Sequence, residues 1–136
     1  MITIFSILCQ RCGLSRQEAA TFLKVRNDTV YSWSTGRNKA PQGAIDELRE
    51  LYTRIESAAD ASLEEIKAMV NKRGNPGVIE LGIAVDDHDA KLLGWPCVGA
   101  HGAVLGLVAA RIDLPITIVP RGATVATAAA ADANTP

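Results

Sequence analysis

A chain of 136 residues that is 48% hydrophobic can bury the core of one small domain, with or without a small appendage. No apolar run approaches the roughly 20 residues of a membrane span, so no membrane partner is expected. The apolar start MITIFSILCQRCG lacks the charged region and cleavage site of a signal peptide, and a cytoplasmic protein is expected. The net charge of −1 hides an asymmetry: residues 1–40 carry six basic groups against two acidic ones, and the remainder carries eight against thirteen. Screening limits the reach of a charge to about 8 Å at physiological salt, so a basic face at one end can grip phosphates whatever the net charge.

In chain order, Ile4, Phe5, Ile7, Leu8, Cys12 and Leu14 predict a first helix over about 2–12, closed by Gly13. Ser15 with Glu18 is a capping-box pattern that opens a second helix over 15–23, with Ala19, Ala20, Phe22 and Leu23 on its apolar face. Lys24-Val25-Arg26 is a three-residue connection with one apolar plug. A third helix over 27–34 turns Val30 and Trp33 inward and leaves Asn27, Asp28, Tyr31 and Ser32 on its outer face, with Gly36 closing it. Arg37 to Ala40 reads as a basic loop, and Pro41 suits the first turn of the next helix. Ile45, Leu48, Tyr52, Ile55, Ala59, Ile66 and Met69 predict one long amphipathic helix from Gln42 to Arg73, with a kink or fresh start open at Ala58–Ser62.

Gly74-Asn75-Pro76-Gly77 breaks the pattern. A strand follows over 78–85, then a short helix started by Asp86–Asp89, a small-residue helix over 99–112, and a strand over 116–119 between Pro115 and Pro120. The expected organisation is a helical unit over 1–73, complete in its own core, a small α/β dimerisation domain over 74–122, and a disordered tail over 123–136. The segment from Val98 to Val119 is too apolar to sit exposed and short for a self-sufficient core, and a second copy is expected to cover it.

Residues 13–41, GLSRQEAATFLKVRNDTVYSWSTGRNKAP, resemble the helix-turn-helix of XRE/Cro-type regulators, with Ala20, Val25, Thr29, Val30, Trp33 and Gly36 at the family's structural positions. The family usually has Gly where Lys24 stands. The resemblance implies a mainly α, lambda-repressor-like domain that binds double-stranded DNA as a homodimer. It places Arg26, Asn27, Asp28, Tyr31 and Ser32 at base edges, chemistry that suits Asn on adenine, Arg on guanine and Asp on cytosine. Asp28 has a second reading as a helix-terminus residue, and Tyr31 a second reading as a packing residue. The same resemblance places Arg16, Gln17, Thr29, Thr35, Arg37 and Lys39 at phosphates; the alternative for the basic ones is an ordinary solvated face. More loosely, Gly94-Trp95 followed by a small-residue helix resembles the anti-CRISPR-associated autorepressors and their prophage-type relatives, whose C-terminal domains pair subunits.

Other chemistry is poorly supplied. Cys9 and Cys12 form CQRC on an apolar helix without a second ligand pair, and read as buried thiols, not zinc ligands. No nucleophile stands with a base, and His101 sits in an apolar segment as a packed or dimer-contact residue. The expectation is a transcriptional regulator, not an enzyme, with no cofactor or metal and no small-molecule ligand. Two alternatives are an antitoxin whose C-terminal half binds a toxin, and an interaction module without DNA binding.

Overall fold

The computed structural model describes residues 2–122; the tail expected to be disordered, 123–136, lies outside the described residues. Helix α1 (Ile4–Arg11) starts at a reciprocal capping box between Thr3 and Ser6, which sets its first turn two residues later than the apolar pattern alone suggests. It ends in a Schellman turn: Gly13, at φ +72°, donates to the Gln10 carbonyl while Leu14 donates to that of Cys9. Helix α2 (Arg16–Leu23) has its own capping box, with Glu18 N–H donating to Ser15 Oγ and Ser15 N–H to Glu18 Oε1. Lys24 closes it in the left-handed region at φ +59°, the position where glycine carries no steric cost. After Val25 and Arg26, helix α3 (Asn27–Thr35) runs to Gly36 at φ +82°.

Helix α4 (Gln42–Arg73) is one unbroken element of 32 residues, about 48 Å long at 1.5 Å per residue. The fresh start weighed at Ala58–Ser62 does not occur, because Ala58, Ala59 and Ser62 continue the buried stripe from Leu51 and Ile55 to Leu63 and Ile66. Pro41 is the N-cap, one position before the first turn.

Beyond Asn75-Pro76-Gly77 the chain forms β1 (Ile79–Ile83), α5 (Asp87–Leu92), α6 (Val98–Arg111) and β2 (Ile116–Pro120). The two strands pair in parallel, Ile79 opposite Ile116 and Leu81 opposite Ile118, so both helices serve as the crossover that parallel pairing demands. Asp86 Oδ1 accepts from Asp89 N–H at the start of α5, and Asp87 Oδ1 accepts from Val98 N–H at the start of α6. Asp86 and Asp87 are thus spent on two helix starts, while Asp89 accepts from Val85 N–H and pairs with Arg121. The chain is mainly helical, with a small two-stranded parallel sheet.

The helical core is not closed at Arg73. Helix α6 lies along α4, and one cluster of buried residues runs from Phe5 through Leu48 and Ile55 to Val104 and Val108. Gly13 and Gly99 meet backbone to backbone: a Cβ on either would stand 2.0 Å from the carbonyl oxygen of the other. Arg54 donates to the Gly94 carbonyl at 2.7 Å and lies over the Trp95 ring, while Arg111 pairs with Asp60 at 2.8 Å. Val104, Leu105 and Val108, expected to await a second copy, are buried within this chain, and His101 is the packed residue of its two readings. His101 Nδ1 accepts from Ala84 N–H at 3.0 Å, tying α6 to the end of β1.

Candidate nucleic-acid interface

Helix α3 is held at both ends before it offers anything to a ligand. The Thr3 hydroxyl, already capping α1, lies 3.0 Å from the Ser34 carbonyl and 3.3 Å from that of Trp33, so α1 is tied to the end of α3. Phe5 and Trp33 meet edge to face with ring centroids 5.5 Å apart, and Val30 is fully buried. At the other end, Val25 N–H donates to the Ala20 carbonyl and fixes the turn from α2. A helix anchored in this way presents its outer side chains in fixed directions.

The first turn of α3 and its N-cap are exposed: Arg26, Asn27 and Asp28 all face solvent. Arg26 Nη2 donates to Asp28 Oδ2 at 3.0 Å. Both side chains are largely exposed, so the pair adds at most about 1 kcal/mol to stability. Asp28 makes no capping bond, since α3 has no side-chain cap; its hydrogen-bond partner is Arg26. That pair holds the guanidinium over the first turn, where its other N–H groups remain able to donate.

The second turn differs from expectation. Ser32 is not on the outer face but buried at 7% exposure, and its Oγ accepts from Asn38 Nδ2 at 2.7 Å. The backbone N–H of Asn38 also donates to the Ser32 carbonyl, so the loop after Gly36 folds back over Ser32 and closes it off. Tyr31 stays half exposed, with the Arg16 guanidinium 4.7 Å above its ring centroid. Thr35, partly covered, donates its Oγ1 hydroxyl back to the Tyr31 and Ser32 carbonyls. Arg16, Gln17, Arg37 and Lys39 are exposed, and Thr29 is partly covered.

The structure therefore brings Arg26, Asn27 and Asp28 together on one turn, with Arg16 beside it across Tyr31 and the Arg37–Lys39 loop beyond Ser32. Asn38, which anchors that loop, escaped the sequence reading because a loop asparagine bonded six residues back leaves no periodic signal. Cys9, Cys12 and Cys97 are all free and buried. Burial pushes the Cys9 thiol up to about 11 and, aided by its neighbour Cys9, the Cys12 thiol to about 12, so both stay protonated at neutral pH. Among the described residues no three His, Cys, Asp or Glu side chains gather as a metal would need, and no helix is long and apolar enough to cross a membrane. No model of a known protein family matches the chain, and no match is found among curated proteins.

Proposed function

We propose that the chain is a sequence-specific DNA-binding regulator of transcription, in which α2 and α3 act as a helix-turn-helix and α3 enters the major groove. The observation that carries this reading is the exposed Arg26-Asn27-Asp28 turn on a rigidly anchored helix, with the exposed cations Arg16, Arg37 and Lys39 on either side. A guanidinium, an amide and a carboxylate on one turn match the donor and acceptor sets of guanine, adenine and cytosine edges. The flanking cations match the phosphates that bound the groove. The resemblance to XRE/Cro-type regulators supports the same docking, and that to autorepressors points to repression of the chain's own promoter.

Two copies belong to this reading, because one recognition helix reads too few base pairs to select a site among genomic competitors. The apolar surface left for pairing is narrower than the sequence suggests. After Arg73 it includes the exposed Val78, Val85, Leu92 and Ile118 and the partly covered Ile112, Leu114 and Ile116. The test is selection by the full chain from a pool of random duplexes. The expected result is an inverted repeat with half-sites about 10 base pairs, or a multiple, apart. Arg37→Ala and Lys39→Ala should each flatten the salt dependence of binding by about one counterion. A pool that shows no enriched sequence, and binding that ignores salt, would overturn the proposal.

A further inference from the structure

We infer that the second turn of α3 does not read bases but sets the positions of two phosphate grips, Tyr31 being the platform for Arg16 and Ser32 the anchor of the Arg37–Lys39 loop. This rests on the DNA-binding reading above and assigns roles within it. Arg16 is the first residue of α2, and the Ser15–Glu18 capping box fixes its backbone. Its guanidinium sits over the Tyr31 face at 4.7 Å. Cation–π attraction to the ring holds the guanidinium without using its N–H donors, which a phosphate oxygen requires. A free arginine must surrender side-chain freedom to hold that geometry, whereas the stacked one holds it before DNA arrives.

The other grip is set by a double bond to one residue. Asn38 Nδ2 donates to Ser32 Oγ at 2.7 Å and Asn38 N–H to the Ser32 carbonyl at 3.3 Å. Arg37 and Lys39 flank that anchor in sequence, and both are exposed. Ser32 is too buried to meet a base edge, and its oxygen is already engaged. Tyr31 lies four residues after Asn27, hence on the same side of α3 and one turn back from the reading end. The two grips are therefore referenced to the same helical turn, directly behind the residues that face the bases. Phosphate contacts fix register while base contacts specify. Adjacent residues on one rigid helix hold the two functions at a constant offset.

The test uses the full chain and two duplexes, one selected from a random pool and one scrambled, with Tyr31→Phe, Tyr31→Ala and Asn38→Ala beside wild type. Tyr31→Phe keeps an aromatic face and should bind as wild type does. Tyr31→Ala and Asn38→Ala should weaken both duplexes by the same factor, about threefold to tenfold, with a salt slope shallower by about one. Both variants should stay folded at the assay temperature by circular dichroism, Tyr31→Ala at the wild-type midpoint and Asn38→Ala below it because buried Ser32 loses its partner, which separates positioning from unfolding. In the free chain, the tyrosine ring current should shift the Arg16 side-chain protons upfield, and Tyr31→Ala should abolish the shift. Selective loss of the chosen duplex in Tyr31→Phe would mean that the hydroxyl reads a base, and would overturn the inference. An unchanged salt slope in Tyr31→Ala and Asn38→Ala would overturn it as well, with the DNA-binding reading intact. Failure of wild type to bind either duplex would remove both.

Discussion

The three N-terminal helices and the β1–α5–α6–β2 segment reach order by opposite routes. The first group is shaped by its neighbours in sequence: two capping boxes, a Schellman turn and left-handed residues at Gly13, Lys24 and Gly36 fix each helix within a turn of itself. The second is shaped by what lies far along the chain. The partner of β1 is more than thirty residues away, His101 bonds back to Ala84, and Gly99 seats against Gly13. Local devices build a rigid frame on which side chains can be aimed outward. Long-range contacts build the mass against which that frame is braced. The exposed cations Arg16, Arg26, Arg37 and Lys39 lie on or just after the first group, while in the second an acidic group, Asp89, braces the end by pairing with Arg121 at 2.7 Å.

The sharpest way to break this division is at the backbone contact between Gly13 and Gly99. Gly99→Ala would place a methyl carbon 2.0 Å from the Gly13 carbonyl oxygen, and backbone on both sides has little room to yield. We expect a loss of about 2–4 kcal/mol, measured by urea unfolding, in line with overpacked cores and strained close approaches. A loss under about 0.5 kcal/mol would mean that the two halves are not pressed together at this point.

A smaller effect of opposite sign is expected within the first group. Lys24 stands at φ +59°, where a side chain costs about 1–2 kcal/mol that glycine avoids, offset by the greater freedom glycine loses on folding. Lys24→Gly should stabilise the chain by about 0.5–1 kcal/mol, read as a higher urea midpoint with an unchanged slope. Destabilisation would show that the Lys24 side chain does something beyond closing the helix.

The smallest effect is one that acid removes. The Arg121 guanidinium, with help from Val85 N–H, holds the Asp89 carboxyl below the usual carboxylate range. A depressed carboxylate contributes stability that is complete above the ordinary value near pH 4. That contribution fades as pH falls towards the lower folded value. Asp89→Asn should therefore lower stability at neutral pH and flatten the acid limb below about pH 4. An acid limb of wild-type steepness would remove Asp89 from that account.

Legibility in the sequence followed the same division. Ser15 with Glu18, Gly13, Gly36 and Pro41 announce helix ends by chemistry that acts within four residues, and the observed bounds lie within two residues of expectation. Strand positions were equally visible from β-branched runs, though parallel pairing of the two was not, because nothing local records a partner. Periodicity and the family resemblance both put Ser32 on the outward face of α3. Periodicity cannot see Asn38 folding back over Ser32, or Arg16 arriving from another helix above Tyr31. The helix at 98–111 looked too apolar for its surroundings because α4 had been credited with a core closed by α1–α3. Its stripe from Leu51 to Ile66 needed a further helix to cover it, and α6 is that helix.

The central claim is that α3 reads base edges through its first turn, and Asn27→Ala tests it most directly. Its side chain is exposed and buries nothing, so the variant should fold as wild type does. Fluorescence anisotropy at several salt concentrations, on a duplex selected by the full chain and on a scrambled one, supplies the measurement. The account predicts a loss of about 1–3 kcal/mol on the selected duplex and almost none on the scrambled one, with the salt slope unchanged. Equal losses on the two duplexes, or no loss on either, would contradict it.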